Sequence, residues 1–292
     1  MEQTVASQHS GLLLRDYLRR VMGVSYSSLK SAKWDNRILV NGVPTAVDRR
    51  LRTDDLVTFI PKEAAPIYQL TPYQIPLNIV YQDEWLMVID KPAPLASQSS
   101  LGHPDDSLEN ALFAYFGCPD GFLYRPVNRL DKGTSGLMTV ALDAHTQHRL
   151  QQLLHTPDFQ RTYLAVTDGL PPAEAGVIDL PIAKVDEASI RRIVCETGKP
   201  SVTHYRVLET HGRRALIQLV LETGRTHQIR VHLSHLGCPV FGDFLYGTES
   251  DELPGRFALH SAGVVLKHPH TGQTLTLASP LPSALQALLT DA

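Results

Sequence analysis

The chain has 292 residues, 43% of them hydrophobic and 20% charged, enough for one large core with a small companion, and a soluble globular protein is expected. A net charge of −3 argues against a uniformly basic nucleic-acid binder, and no run reaches the ~18 apolar residues of a membrane span, so no membrane partner is expected. Cys118, Cys195 and Cys238 are too scattered for a disulfide framework or a CxxC metal site, and the opening Met-Glu-Gln-Thr lacks the basic and apolar parts of a signal peptide. We expect a cytoplasmic protein whose cysteines are reduced and at least partly buried.

Charge is unevenly spread. Residues 1–60 hold nine Lys and Arg against six Asp and Glu, a net of +3, which leaves −6 for the remainder. In this basic segment "GLLLRDYLRRVM" (11–22) places Leu14, Tyr17, Leu18 and Val21 on one helical face with Arg15, Arg19 and Arg20 off it, and Gly23 stops the helix. A second short helix is predicted over 25–33, then a hairpin "RILVNGVPT" turning at Asn41-Gly42, then a strand in "LRTDDLVTFI". Two short helices with exposed basic residues before a small hairpin resemble the alpha-L RNA-binding domain. That resemblance implies a small α/β domain over 1–62 that lays Arg19, Arg20, Lys30, Lys33 and Arg37 on structured RNA; a solvated face that binds nothing stays open. Four prolines between Pro61 and Pro76 then read as a linker of limited flexibility, placed at 63–75.

From residue 76 the elements change character. "IPLNIVYQDEWLMVIDKP" reads as two strands around Gln82-Asp83-Glu84, closed by Lys91-Pro92. "SLENALFAYF" is a helix capped by Ser107 that buries Leu108, Leu112 and Phe116. Next comes "RPVNRLDKGTSGLM" (125–138), which sets Asp131 among Arg125, Arg129 and Lys132. Cations that close favour an acid's charged form, and an ionised, positioned Asp can act as a nucleophile; the residues alone favour a plain Asp-Lys-Gly turn over that reading. A strand follows over 136–142, then a helix capped by Asp143, then a strand over 162–166 carrying Tyr163, which in isolation suits a core position.

Two strands are predicted to flank Gly198-Lys199-Pro200, exposing Arg191, Arg192 and Lys199 as a second basic edge. "RALIQLVLET" reads as a buried strand broken at Gly224-Arg225. A helix then starts at Thr226 as cap, buries Ile229, Leu233 and Leu236, stops at Gly237, and lets Arg230 leave the buried stripe. A closing hairpin turns around His270-Thr-Gly272.

"LNIVYQDEWLMVIDKP", "NRLDKGTSGLM", "RTYLAVTDG" and "ETGRTHQIRVHLSHLGCPVFGDFLYG", in this order, resemble the RluA-type pseudouridine synthases over roughly residues 75–280. The resemblance implies an α+β catalytic domain over 76–292 with a mixed, mainly antiparallel sheet. It implies an isomerase that converts uridines of ribosomal or transfer RNA to pseudouridine. Asp131 would be its catalytic residue, Tyr163 the ring stacked on the target base, and Arg230 a two-pronged partner of Asp131. Arg125, Arg129, Lys132, Lys91 and Arg225 would meet RNA. Asn128 stands where many family members have His, which bears on the RNA chosen rather than on catalysis.

No cofactor is expected, because the chain has no P-loop, no GxGxxG after a strand and no metal-spaced Cys/His set. A monomer is expected. Two other classes compete with this one. A non-catalytic RNA-binding or RNA-folding factor would show damage at Asp131, Tyr163 or Arg230, and all three are intact. A metal hydrolase using His227, His232 and His235 lacks a prompt acidic ligand, and His227 falls off the face the other two share.

Overall fold

The computed structural model describes residues 1–24, 26–60, 70–186 and 189–290, with the side chains of all but 27, 31, 33 and 34. Lys33 and most of the predicted linker therefore lie outside the described side chains and residues.

The N-terminal unit runs β1 (Glu2–Thr4), α1 (Leu14–Arg20), α2 (Tyr26–Trp34), β2 (Ile38–Val40), β3 (Val43–Pro44) and β4 (Leu56–Phe59), with a four-stranded sheet ordered β1-β4-β2-β3. Leu14, Tyr17 and Leu18 are wholly buried against Val5, Leu51 and Val57, as the helical spacing predicts, while Val21 is only half-buried. The hairpin turns at Asn41 and Gly42 with φ of 52° and 76°, the left-handed pair that an Asn-Gly turn supplies.

The second unit comprises β5 (Asn78–Gln82), β6 (Leu86–Lys91), α3 (Leu108–Tyr115), β7 (Ser135–Ala141), α4 (Ala144–Leu153), β8 (Phe159–Asp168), β9 (Ala175–Asp179), β10 (Ile182–Lys184), β11 (Arg192–Val194), β12 (Val202–His211), β13 (Arg214–Leu221), α5 (Gln228–His235), β14 (Leu259–Lys267), β15 (Thr274–Ala278) and α6 (Ser283–Ala287). Its nine-stranded sheet follows β5-β6-β7-β14-β8-β13-β12-β9 with β15 on β14, and every pairing is antiparallel except β7 with β14. This is the mixed, mainly antiparallel α+β architecture the motifs imply.

Alternate residues of the central strands face two cores. Leu86, Val88 and Leu137 pack with Leu150 of α4, whereas Met87, Ile89 and Met138 pack with Leu112 of α3 and Ile229 of α5. Burial on both faces is why residues 86–89 of β6 read as an unbroken apolar run and β7 as an apolar one interrupted by Thr139. Ser107 caps α3 and forms a reciprocal box with Asn110.

Several details depart from expectation. Phe116 ends α3 37% exposed, because the helix stops one residue earlier and the ring turns to Phe122 and Tyr115 at the surface. Cys118 is exposed. The strands flanking 198–200 do not pair with each other: β11 pairs β10, while β12 enters the main sheet between β9 and β13. Residues 70–75, expected as linker, dock on α3, with Tyr73 N donating to Asn110 O and Asn110 Nδ2 donating to Thr71 O. No helix among the described residues is long and apolar enough to cross a membrane.

Candidate active site

Asp131 lies in the loop before β7, and buried polar contacts fix that loop. Ser97 Oγ donates to Leu130 O and accepts from Leu130 N; Leu95 N donates to Lys132 O; Thr134 N donates to Asp131 O. Asn128 Oδ1 accepts from Thr139 N, tying the loop to β7. Gly133 is required by a close approach: a Cβ there would stand 2.6 Å from Cε1 of Phe257.

The same Phe257 ring packs 4.1 Å from the Arg230 guanidinium, whose other neighbours include Tyr246 at 5.0 Å. Arg230 sits in the first turn of α5 and is 2% exposed, so it does not leave the buried stripe as the helical spacing suggested. Nη1 donates to Asp131 Oδ2 at 2.8 Å, while Nε and Nη2 donate to the two oxygens of Asp243 at 2.7 and 2.8 Å. The two-pronged pair expected with Asp131 is therefore made with Asp243. Asp243 also accepts from Leu245 N and Tyr246 N. Burial pulls the Arg230 guanidinium down, but its hydrogen bond with Asp243 and the charges of Asp131 and Asp243 outweigh this and leave it above its ordinary pKa.

The cap of α5 is His227 rather than Thr226, because Gln228 Oε1 accepts from Arg225 N and closes the turn from inside the helix. His227 has a φ of 59°, bonds through Nδ1 to the Tyr246 hydroxyl at 2.8 Å, and brings Nε2 to 3.8 Å from Asp131 Oδ2. Burial lowers its pKa against the pull of Asp131, with Arg230 lowering it further. The side chain of Asp131 remains 28% exposed.

That exposed face opens into a cleft of about 560 Å³, lined by Asp131, Tyr163, Arg129, Arg161, Arg225 and His227 among others. Tyr163 stands 5% exposed at the centre of the sheet, where β8 pairs Leu219 of β13 and Ser261 of β14. The structure thus brings Asp131, Tyr163, Arg230, Arg129 and Arg225 to one place.

The cations flanking Asp131 in sequence do not pair with it. Among the described residues its ion pairs are with Arg230 and His227, while Arg125 Nη1 donates to Leu123 O and Arg129 Nη1 to Gln98 Oε1. Lys132 is exposed at the loop. Lys91 departs furthest from expectation: it is 0% exposed, and Nζ donates to Pro92 O, Leu95 O and Lys132 O, so it braces the Asp131 loop from below and cannot meet a phosphate. Burial pulls its pKa down to about 7.

In the N-terminal unit Arg19, Arg20 and Lys30 are exposed. Arg37 is engaged by Asp35 and by Ile60 O, which leaves its side chain only 14% exposed. Among the described residues no group of three or more His, Cys, Asp or Glu could hold a metal ion; His232 is taken up by Thr203 Oγ1 and Leu180 O.

Residues 85–235 match the family described as RNA pseudouridylate synthase, and the chain belongs to that family, as an RNA pseudouridine synthase of the RluA type. Ribosomal large subunit pseudouridine synthase D of Escherichia coli (strain K12) is 35% identical over 303 aligned positions, covering 98% of this chain and 92% of the relative. Its namesake in Xanthomonas campestris pv. campestris is 40% identical over 234 positions, covering 75% and 70%. Among solved structures, human RNA pseudouridylate synthase domain containing 4 superposes with a TM-score of 0.58 at 27% identity, covering 73% of this chain and 92% of that one.

Proposed function

We propose that this enzyme isomerises particular uridines of structured RNA, ribosomal RNA in the first instance, with Asp131 as the group that acts on the nucleoside and without a cofactor. The observation that carries the proposal is the asymmetric hold on Asp131: one bond from a buried guanidinium fixes it, while the rest of the carboxylate faces the cleft beside Tyr163. The relatives named for ribosomal large subunit pseudouridine synthesis support the choice of RNA.

The reaction breaks the C1′–N1 bond, turns the ring, and forms a C1′–C5 bond; N1 gains a proton and C5 loses one. No net oxidation or hydrolysis occurs, so an anchored carboxylate suffices without redox or metal chemistry. Asp131 can attack the sugar, attack the ring or take a sugar proton; each requires the carboxylate charged and held by Arg230. The uridine must leave its stack, at a cost of a few kcal/mol. Stacking on Tyr163 returns ~1–3 kcal/mol. Arg129, Arg125, Lys132 and Arg225 grip the flanking backbone, and the exposed Arg19, Arg20 and Lys30 hold a neighbouring RNA element. We place the enzyme in the cytoplasm as a monomer.

The test uses unmodified large-subunit ribosomal RNA transcribed with uridine tritiated at C5. Wild type releases tritium, and Asp131→Asn loses at least about a thousandfold in rate while still binding the RNA. Equal release by both proteins sinks the assignment.

A further inference from the structure

Arg161 is a cation for which the catalytic constellation has no use. It lies on β8 two residues before Tyr163, hence on the same face of the strand, and it is 5% exposed. Its Nε and Nη2 are buried without any hydrogen-bond partner, and among the described residues no carboxylate pairs with it. A buried guanidinium with two of its nitrogens unpaired costs stability, and an anion bound to it would offset that cost.

The surroundings point the same way. Arg161, His155, Gly224 and Arg225 together line the cleft, in which Asp131, already held by Arg230, is the only acid among the described residues. Over the guanidinium lies bare backbone: a Cβ on Gly224 would stand 3.6 Å from both Nη1 and Nη2 of Arg161 and 3.3 Å from His155 Cε1. Gly224 has an ordinary φ, so the missing side chain serves space rather than conformation. Burial and the charges of Arg161 and Arg225 lower the pKa of His155, which marks the wall as crowded with positive charge.

We propose that Arg161, with Arg225 and His155 beside it, is a subsite for one backbone phosphate of the RNA, adjoining the uridine stacked on Tyr163; this rests on the RNA-acting reading above. A phosphate matches a guanidinium in charge and in its paired acceptor oxygens, whereas a uracil carbonyl supplies one acceptor and leaves the charge unmet. Two residues along a strand span about 6.6 Å, which sets the anion beside the base platform rather than under it.

The experiment uses the full chain and the tritiated ribosomal transcript, with binding by filter retention and single-turnover release measured across salt concentrations, plus thermal melting of the free proteins. Arg161→Gln should raise the dissociation constant and the half-saturating concentration roughly tenfold, the effect of removing one charge-assisted hydrogen bond. It should flatten the log-log salt slope by about one. The free protein should melt no lower than wild type, because a buried unpaired charge has gone. Gly224→Ala keeps every charge and covers the guanidinium, so it should weaken binding in the same direction by a smaller factor. Unchanged affinity and salt slope in both variants overturns the subsite. So does a sharp fall in melting temperature with affinity intact, the mark of a structural arginine, or a loss confined to the rate at saturation. A wild type that binds but releases no tritium defeats the proposed activity instead, and the affinities still decide the subsite.

Discussion

Arg230 joins two carboxylates whose surroundings differ in almost every respect. Asp243 is 0% exposed, receives two prongs of the guanidinium, and spends its remaining capacity on the amides of Leu245 and Tyr246. Asp131 receives one prong, keeps over a quarter of its side chain open, and among the described residues has one further ion pair, with His227 at 3.8 Å. The difference separates two tasks. Asp243 fixes where the guanidinium points, and Asp131 takes a fixed partner while keeping lone pairs for something that enters the cleft.

Breaking the closed side should do the greatest damage to the fold. Asp243→Asn leaves Arg230 buried beside a neutral amide, and a broken buried pair costs ~3–5 kcal/mol, readable as a lowered urea midpoint. A midpoint within error of wild type would show that Asp243 does not anchor the arginine. Arg230→Lys keeps the charge but loses the fork; we expect the single-turnover rate to fall roughly a hundredfold, with less loss of stability than in Asp243→Asn. If stability falls more than rate, the two carboxylates have exchanged tasks.

The brace beneath Asp131 gives a pH test. Lys91 is held at about 7 against its ordinary 10.5, so between those values the unfolded chain carries a proton that the folded chain has lost. Stability from this site therefore rises as pH climbs through that window. Denaturation midpoints of wild type and Lys91→Met, followed from pH 6 to 10, should shift relative to each other in favour of wild type as pH rises; parallel curves would show that Lys91 stays charged. The smallest effect belongs to the exposed face of the N-terminal unit. Replacing Arg19, Arg20 and Lys30 with Gln should weaken RNA binding and flatten its salt slope, by up to about one for each phosphate no longer neutralised, more than it changes turnover at saturation. An unaltered slope removes that face from the RNA interface.

Local signals were legible where local physics decides. Asn41-Gly42, the Ser107 cap and the Leu14, Tyr17, Leu18 stripe each depend on neighbours a few residues away, and each stands where its pattern puts it. The candidate site was legible in its members rather than its wiring. Arg125, Arg129 and Lys132 crowd Asp131 in sequence, yet none of them pairs with it among the described residues, and the cation that meets Asp131 comes from 99 residues downstream. Asp243 went unread although "GDFLYG" closes the last of the four motifs, because nothing local says that an Asp in a turn will swallow two prongs of a guanidinium. Lys91 misled for the converse reason: a lysine at a strand end is ordinarily solvated, and only the folded loop shows three carbonyls converging on its amine. Arg161 reads as one basic residue in a strand until burial without a partner sets it apart.

The place of β14 has a consequence for how the enzyme comes into being. Residues 259–267 slot between β7 and β8, strands made about a hundred residues earlier; residues 125–128 already tie the far end of β7, but until β14 arrives β8 presents an open row of amides and carbonyls in the middle of the future sheet. A chain ending short of this segment lacks Leu259, which lines the site with Asp131, and carries the bare border of β8 instead of a closed one. During synthesis the protein is thus most prone to aggregate just before it becomes able to work, and a shielding chaperone would matter most in that interval.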